Sequence, residues 1–180
     1  MCTLGFLVNP VAGMGGAVGL KGTDGMVEAA LSRGAIPRSP GRAKETISLL
    51  RGLDIHFLTC SGAMGEEILS EEGISGYEVV YRPESEQTGA PDTMAACRAF
   101  LERNADLILF CGGDGTARDI YSVVGDSLPI LGIPAGVKMY SAVFAITPGA
   151  AAGIVREGCI TGGKFLFRDA EVMDVDEEAY

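Results

Sequence analysis

The sequence predicts an α/β fold in which a parallel sheet is covered by helices on both faces. Five apolar runs of strand length alternate along the chain with amphipathic stretches of helical length, a pattern typical of strand–helix–strand units. The 180 residues are 47% apolar and 21% charged, which suits a substantial core and excludes an intrinsically disordered chain. Three of the runs end in glycine-containing loops. Because the carboxyl ends of parallel strands share one edge of the sheet, we expect these loops to converge on a ligand site.

The individual elements follow from the spacing of apolar residues. Near-continuous apolar runs predict strands at residues 3–8, 53–60, 77–81, 106–111 and 129–133. Apolar residues three or four positions apart predict helices at residues 43–50, 63–71, 92–103, 116–124, 137–146 and 148–156. Thr88 and Asp92 are the candidate caps of the third of these helices.

The last part of the chain departs from this alternation. Residues 164–180 interleave apolar and polar side chains, which predicts extended structure. We therefore predict a nucleotide-binding domain at residues 1–160 and, at residues 161–180, the start of a β-rich second domain that is cut short. An acidic tail is the alternative.

Charge and composition narrow the classes of partner. The chain carries 24 acidic and 14 basic residues, a formal net charge of −10. A nucleic-acid-binding surface normally has a basic excess, so nucleic acid is not expected as a partner. No apolar run approaches the length of a membrane span, and the N-terminus lacks the pattern of a secretory signal. The sequence therefore predicts a cytoplasmic protein that binds neither nucleic acid nor membrane.

The cysteines and the single histidine do not form a metal-binding pattern. Five cysteines are an odd number and lack both the paired spacing of a zinc site and the density of a disulfide scaffold. We expect reduced, mostly buried thiols. His56 falls inside a predicted strand, where a place in the core or on a sheet face is expected.

The segment Gly112-Gly113-Asp114-Gly115-Thr116 lies between a predicted strand and a predicted helix. A phosphate approaching the backbone needs residues without Cβ, and a helix N-terminus adds a partial positive charge. Asp114 would bind Mg²⁺ or accept the proton of an attacking hydroxyl. The segment is thus predicted to bind nucleotide phosphates, with a plain tight turn as the alternative.

Two further loops are candidates for the same site. The loop at residues 9–16 contains Asn9, Gly13, Gly15 and Gly16, but Val18 stands where the third glycine of a dinucleotide fingerprint belongs. It is predicted to be a turn that presents Asn9 and its flanking backbone to the cleft; a purely structural turn is the alternative. The loop at residues 132–141 offers phosphate-binding candidates, although its lysine also suits a solvated helix position. These candidates are Gly136, Lys138 and Ser141.

Taken together, the three loops resemble the superfamily of NAD kinases and diacylglycerol/sphingosine kinases. The motif GGDGT at a strand–helix junction carries the resemblance. The strings NPVAGMGG, LKGTDG, GGDGTARDI and GIPAGVKMYSAVFA are similar to the ATP-NAD kinase-like branch of that superfamily. The resemblance spans almost the whole chain. It implies a Rossmann-like N-terminal domain of the NAD kinase fold, an all-β second domain and a nucleotide site between them.

The resemblance also implies an activity. It indicates a kinase that transfers a phosphoryl group from ATP or polyphosphate to the 2′-hydroxyl of NAD or a related acceptor, with Mg²⁺ accompanying ATP. Asp114 would activate that hydroxyl, and Gly112, Gly113, Gly115 and Thr116 would line the phosphates. Superfamily members are commonly homo-oligomers, and the same is expected here. If the β-rich domain is missing from this chain, the chain alone is expected to be inactive.

Several residues outside the main loops are weaker candidates. Thr23 and Asp24, in the LKGTDG string, would form a flap over the cleft or a flexible turn. Arg118 and Asp119, one turn into the helix after GGDGT, would line the site or form a local surface pair.

Three other functions stay open at this point. The GIPAG string is closer to the lipid-kinase version of the loop, and the Asn-Glu/Asp motif that holds the dinucleotide in NAD kinases has no counterpart in this sequence. A lipid or small-alcohol kinase is therefore one alternative. A non-catalytic regulatory protein that binds NAD or ATP is the second. A dinucleotide-dependent dehydrogenase is a distant third, because the fingerprint spacing fails.

Overall fold

A computed structural model describes residues 1–13, 36–136 and 139–173 of the chain. Its centre is a parallel five-stranded sheet with the strand order β3-β2-β1-β4-β5. The strands are β1 Cys2–Val8, β2 Ile55–Cys60, β3 Tyr77–Tyr81, β4 Leu107–Gly112 and β5 Ile130–Pro134. All five predicted strands are confirmed, each with its ends within two residues of the prediction. The α/β class and the Rossmann-like arrangement are confirmed as well.

In the described part of the chain, five α-helices connect or follow the strands. They are α1 Ser39–Ser48, α2 Glu66–Glu71, α3 Ala90–Glu102, α4 Asp114–Val124 and α5 Pro148–Ile160, with a 3₁₀ turn at Gly62–Met64 before α2. Asp92 takes part in the cap of α3, as expected, because its carboxylate accepts a hydrogen bond from the N–H of Gly89 at 2.9 Å. Thr88 is not the cap, since the N-cap position belongs to Gly89.

The helix predicted at residues 137–146 is wrong for its described part. Residues 139–147 contain no helix. Their backbone instead bonds to the outer edge of β5: the N–H of Gly132 donates to the carbonyl of Val143, and the N–H of Ala145 donates to the carbonyl of Gly132, both at 2.9 Å. The Phe144 ring fills the space that Gly132 leaves and lies 5.4 Å from the Phe110 ring. Pairing with the sheet edge thus satisfies the groups that a helix would have bonded internally.

Helices cover both faces of the sheet, as predicted. Because side chains alternate along a strand, Phe6 packs with α1, α2 and α5 while its neighbour Leu7 packs with α3 and α4. Gly5 permits close packing on the second face, since a Cβ there would lie 2.7 Å from the Phe100 ring. The two buried layers hold β1 and β4 rigidly at the centre, and the loops that follow these strands inherit that rigidity.

Residues 164–173 form no strand. Their attachment to the rest of the domain is local: the N–H of Ala142 donates to the carbonyl of Glu171 at 2.9 Å, and the N–H of Met173 donates to Oγ of Ser141 at 3.0 Å. The β-rich second domain predicted from residue 161 onward stays a prediction. Within the described ranges, no helix has the length and apolarity needed to cross a membrane.

The cysteines are free thiols, four of them buried and Cys159 half-buried. Burial raises the pKa of the Cys60 and Cys111 thiols and raises the pKa of Cys97 to about 12. A hydrogen bond from Cys2 lowers the pKa of the Cys159 thiol and raises that of Cys2. Cys159 is therefore the thiol best suited to react as a thiolate.

We expect iodoacetamide to alkylate Cys159 of the native chain at least about tenfold faster than the four buried cysteines, because exposure and a lowered pKa act together. Peptide mapping by mass spectrometry after timed labelling measures the rates. In urea the five rates should converge. A Cys2→Ala variant removes the hydrogen-bond donor to Cys159, so labelling of Cys159 should slow. Equal native rates at all five cysteines would contradict the assignment.

Candidate functional site

The candidate site lies at the point where the strand order reverses. From β1 the chain adds β2 and β3 on one side, and then crosses to place β4 and β5 on the other. The strands β1 and β4 are neighbours, and the loops that follow them therefore lie on either side of the gap between the two halves of the sheet. In open parallel sheets this gap, beyond the carboxyl ends of the strands, is where ligands bind.

Asn9 joins the first two loops. Its N–H donates to the carbonyl of Cys111 at 2.9 Å, and its Nδ2 donates to Oγ1 of Thr116 at 3.1 Å. Its Oδ1 accepts from the N–H of Val11 at 3.2 Å and closes the turn. The carbonyl of Asn9 accepts a 2.6 Å bond from Oγ of Ser39 at the start of α1. The described structure thus engages the Asn9 side chain in linking the two loops.

Gly13 brings the first loop against the third. Its φ is +82°, in the region that favours glycine, and a Cβ on it would lie 2.4 Å from the carbonyl oxygen of Ala135. The N–H of Ala135 in turn donates to the carbonyl of Gly112 at 3.2 Å. The three loops therefore form one contiguous unit, which confirms the predicted convergence.

The glycines of GGDGT divide into two kinds. A Cβ on Gly112 would lie 2.5 Å from Oγ1 of Thr116, whose side chain is only 4% exposed, so packing requires a glycine there. A Cβ on Gly113 or Gly115 would meet no heavy atom within 4 Å in the described part of the chain. Both of these glycines have ordinary negative-φ or extended backbone. Among the described residues, neither the local backbone conformation nor side-chain packing therefore explains their lack of a side chain.

Helix α4 begins at Asp114, two residues before the predicted start at Thr116, with Gly113 as its N-cap. Gly113 is extended, at φ −112° and ψ −171°. The N–H groups of the first helical turn have no acceptor within the helix, and this end carries a partial positive charge. Asp114, as an acidic residue in the first turn, is stabilised there. A carboxylate at this position explains the earlier start.

Two consecutive backbone N–H groups hold the Asp114 carboxylate. Ser141 donates to Oδ1 at 2.8 Å, and Tyr140 donates to Oδ2 at 3.0 Å and to Oδ1 at 3.2 Å. The half-buried carboxylate thereby joins the loop after β4 to the loop after β5. An ionised carboxylate offers about four acceptor positions, so these contacts leave capacity for a hydroxyl proton or a cation.

The remaining predicted residues have varied positions. Gly136 lies half-buried beside Met139 in the third loop. Oγ of Ser141 is engaged by the N–H of Met173. Arg118 and Asp119 form the local pair, with Nη2 and Oδ1 3.8 Å apart. The predicted residues that lie outside the described residues are Gly15, Gly16, Thr23, Asp24 and Lys138.

Sequence reasoning missed two contributors to this site. Tyr140 acts through its backbone N–H, and a backbone donor leaves no mark in residue type. Ser39, fully buried, supports the Asn9 carbonyl. The sequence Ser39-Pro40 could have revealed this serine, because proline is common at the first positions of a helix. Helix α1 indeed starts at Ser39, four residues before the predicted residue 43.

The described residues contain no group of three or more His, Cys, Asp or Glu side chains that could hold a metal ion. His56 lies in β2 with its Nε2 3.9 Å from Glu78 on the neighbouring strand, as expected for a sheet-face histidine. A divalent cation that arrives with a nucleotide needs few protein ligands, because Mg²⁺ takes most of its ligands from phosphates and water.

A separate cavity of about 380 Å³ lies away from these loops. It is bounded by Tyr121 in the second half of α4, by Ile130 at the start of β5, and by Phe167 and Val172. It therefore lies toward the opposite edge of the sheet from Asp114 and takes no part in the candidate site.

Comparison with known proteins agrees with the geometry. The family model described as the ATP-NAD kinase N-terminal domain matches residues 4–164, which include most of β1, all of β2 to β5 and all three loops. A search of curated proteins found no match. Because the family model covers most of the chain, the protein belongs to the ATP-NAD kinase family.

Proposed function

We propose that this protein is a phosphotransferase that moves a phosphoryl group from ATP or polyphosphate to the 2′-hydroxyl of NAD or a related acceptor. One observation carries the proposal: a carboxylate held in a fixed orientation lies between two glycines whose backbone no side chain covers. Asp114 is held by the N–H groups of Tyr140 and Ser141, while Gly113 and Gly115 on either side leave space beside the helix N-terminus. Phosphoryl transfer depends mainly on positioning and charge stabilisation, and this arrangement offers both.

Each part of the loop has a role in the proposed reaction. Phosphate oxygens accept hydrogen bonds from the first-turn N–H groups of α4, whose partial charge favours an anion. The acceptor hydroxyl oxygen bonds to the transferred phosphorus as the bond from phosphorus to the donor's leaving oxygen breaks. The hydroxyl proton passes to the Asp114 carboxylate. Asn9 and Thr116 act indirectly, by holding the loops together through their 3.1 Å bond.

The family uses ATP and NAD with a divalent metal. A Mg²⁺ bound with ATP would neutralise charge on the phosphates, with Asp114 as its nearest candidate protein ligand. The protein itself contributes a phosphate loop without side chains at Gly113 and Gly115, a fixed Asp114 carboxylate and the N-terminus of helix α4.

The test is a transfer assay on the full-length protein with two donors and several acceptors. We expect ATP or polyphosphate to phosphorylate NAD, with NADP detected by a coupled dehydrogenase and by phosphorus NMR. Transfer to diacylglycerol or a small alcohol, with none to NAD, would favour the lipid or small-alcohol kinase. Tight binding of NAD or ATP by calorimetry without transfer to any acceptor would replace the proposal with a regulatory nucleotide-binding protein.

Gly113→Ala and Gly115→Ala test whether the open backbone receives phosphate. Neither Cβ meets a described atom within 4 Å, so Gly115→Ala, inside α4, should keep the free energy of unfolding within about 0.5 kcal/mol of the parent or raise it. Gly113→Ala, at the N-cap of the helix, should lower it by about 1 kcal/mol, because alanine is a poorer N-cap than glycine. ATP affinity should fall by roughly tenfold or more, because the methyl group occupies the space of the phosphate. Calorimetry and urea denaturation measure the two quantities.

Gly153→Ala is the matched control for these variants. Gly153 lies in α5, and its Cβ also meets nothing within 4 Å among the described residues. That variant should leave nucleotide affinity unchanged. Unchanged affinity in the Gly113 and Gly115 variants as well would show that phosphate does not approach this loop.

A further inference from the structure

A short run of hydrogen bonds connects residues 171–173 to the Asp114 carboxylate. Ser141 is its middle member: its N–H donates to Oδ1 of Asp114 at 2.8 Å, and its Oγ accepts from the N–H of Met173 at 3.0 Å. The next residue repeats the attachment, since the N–H of Ala142 donates to the carbonyl of Glu171 at 2.9 Å. One stretch of backbone thus contacts the candidate catalytic group on one side and a remote part of the chain on the other.

Burial singles out Ser141 within this stretch. Its side chain is 5% exposed, whereas Tyr140 before it is 58% exposed and Ala142 after it is exposed. Water therefore competes poorly for the Ser141 hydroxyl, and the bond from Met173 is stronger than it would be at the surface. A buried hydroxyl left without its partner would cost free energy, which favours keeping the segment in place.

The two ends of the loop after β5 are fixed in different ways. Residues 143–145 bond directly to the backbone of Gly132 in β5 and follow the sheet. Tyr140 and Ser141 have no such bond to the sheet among the described contacts. Their N–H groups donate to Asp114, and Ser141 is otherwise held through Met173. Apart from the bonds to Asp114, the described hydrogen bonds of this end of the loop therefore go to residues 171–173.

We infer that Ser141 is a positioning residue that transmits the placement of residues 171–173 to the Asp114 carboxylate. The inference rests on the proposed function only in taking Asp114 as the group that accepts the hydroxyl proton. It makes the segment that leaves the nucleotide-binding domain a regulator of that group: displacement of residues 171–173 releases the Ser141 hydroxyl, and the two N–H groups then hold the carboxylate less firmly.

Hydrogen–deuterium exchange, read by NMR on the unliganded protein, tests the connection without any assay of activity. In Ser141→Ala, the amide of Met173 loses its acceptor, and we expect the amides of Tyr140 and Ser141 to exchange faster too, each on the order of fivefold. Faster exchange confined to Met173 would overturn the inference, and so would unchanged exchange at all three amides.

Two further variants separate coupling from a general loss of structure. Ser122→Ala removes a hydroxyl whose 2.7 Å bond to the carbonyl of Asp119 lies on the exposed face of α4, and it should leave the Tyr140 and Ser141 amides unchanged. Met173→Pro keeps Ser141 and removes the donor instead. If Ser141→Ala also speeds exchange of core amides such as that of Phe110, the Met173→Pro variant is used to decide. Faster exchange at the amides of Tyr140 and Ser141 in that variant supports the inference, and unchanged exchange there overturns it.

Kinetics on the same variants give the functional readout. We expect kcat to fall by roughly fivefold with the KM for the phosphoryl donor unchanged, because the carboxylate is less well oriented while the phosphate loop is intact. The Ser141→Ala/Met173→Pro double variant should be no slower than either single variant. A rise in KM with kcat unchanged would overturn the positioning role. Absence of transfer by the full-length parent protein would refute the proposed function instead, and the exchange result would stand independently.

Discussion

Replacing Asp114 by Asn is expected to lower kcat by roughly 10²- to 10⁴-fold, the range that a positioned general base contributes. Asn has nearly the same shape as Asp, and its Oδ1 can still accept the 2.8 Å bond from the N–H of Ser141. Its amide cannot take a hydroxyl proton, and its NH₂ group faces the N–H of Tyr140, donor against donor. ATP affinity should stay within a few-fold of the parent, because the backbone N–H groups proposed to bind the phosphates are unchanged. Steady-state kinetics and calorimetry measure the two effects.

The matched control for this variant lies at the other end of the same helix. Asp126→Asn makes the same chemical change at an exposed position just beyond the end of α4, beside the separate cavity and away from the three loops. It should leave kcat unchanged. A fully active Asp114→Asn protein would remove Asp114 from the proton-transfer step, whatever the substrate proves to be.

Replacing Gly13 by Ala is expected to lower the free energy of unfolding by roughly 2–5 kcal/mol. A left-handed backbone costs an alanine about 1–2 kcal/mol. The added Cβ would also lie 2.4 Å from the carbonyl oxygen of Ala135, a backbone atom that cannot rotate away, and overpacking of this kind costs about 1–3 kcal/mol more. Urea denaturation measures the loss.

Gly52→Ala separates the two contributions to that loss. Gly52 has a similar φ of +77°, but a Cβ there meets nothing within 4 Å among the described residues. Only the backbone strain remains, so its cost should be about 1–2 kcal/mol. Equal losses in the two variants would show that contact between the first and third loops adds no stability. A larger loss in Gly13→Ala should be accompanied by weaker ATP binding, because Ala135 bonds directly to Gly112.

The strands could be predicted because each is buried by apolar residues along its own length. Residues 106–111 are apolar almost throughout, and β4 is buried at every position. Apolar patterning did not predict the structure of residues 137–146 correctly in their described part. Its apolar spacing suits a helix, but the carbonyl of Val143 and the N–H of Ala145 pair with Gly132 on the sheet edge. The periodicity of apolar residues indicates which side chains will be buried, but it does not indicate which backbone groups will form hydrogen bonds with one another.

The candidate site shows the same division. The residue types in GGDGT identify the loop and Asp114 from the sequence, because glycine and a carboxylate at a strand–helix junction have few other uses. The sequence treats the three glycines of that motif alike. The structure separates Gly112, which packing against Thr116 requires, from Gly113 and Gly115, whose Cβ positions meet no atom of the described residues within 4 Å. That distinction depends on which atoms lie near each Cβ position in the folded protein, and the residue types alone do not reveal it.

The sequence by itself determined the α/β class, the five strands along the chain and the loop that carries the family's motif. These are properties of local composition and spacing along the chain. Only the tertiary structure decided that the N–H groups of Tyr140 and Ser141 hold Asp114, and that Ser141 in turn contacts Met173. Those contacts join residues 26, 27 and 32 positions apart, through backbone atoms that every residue shares. Their partners are set by how the sheet brings its loops together.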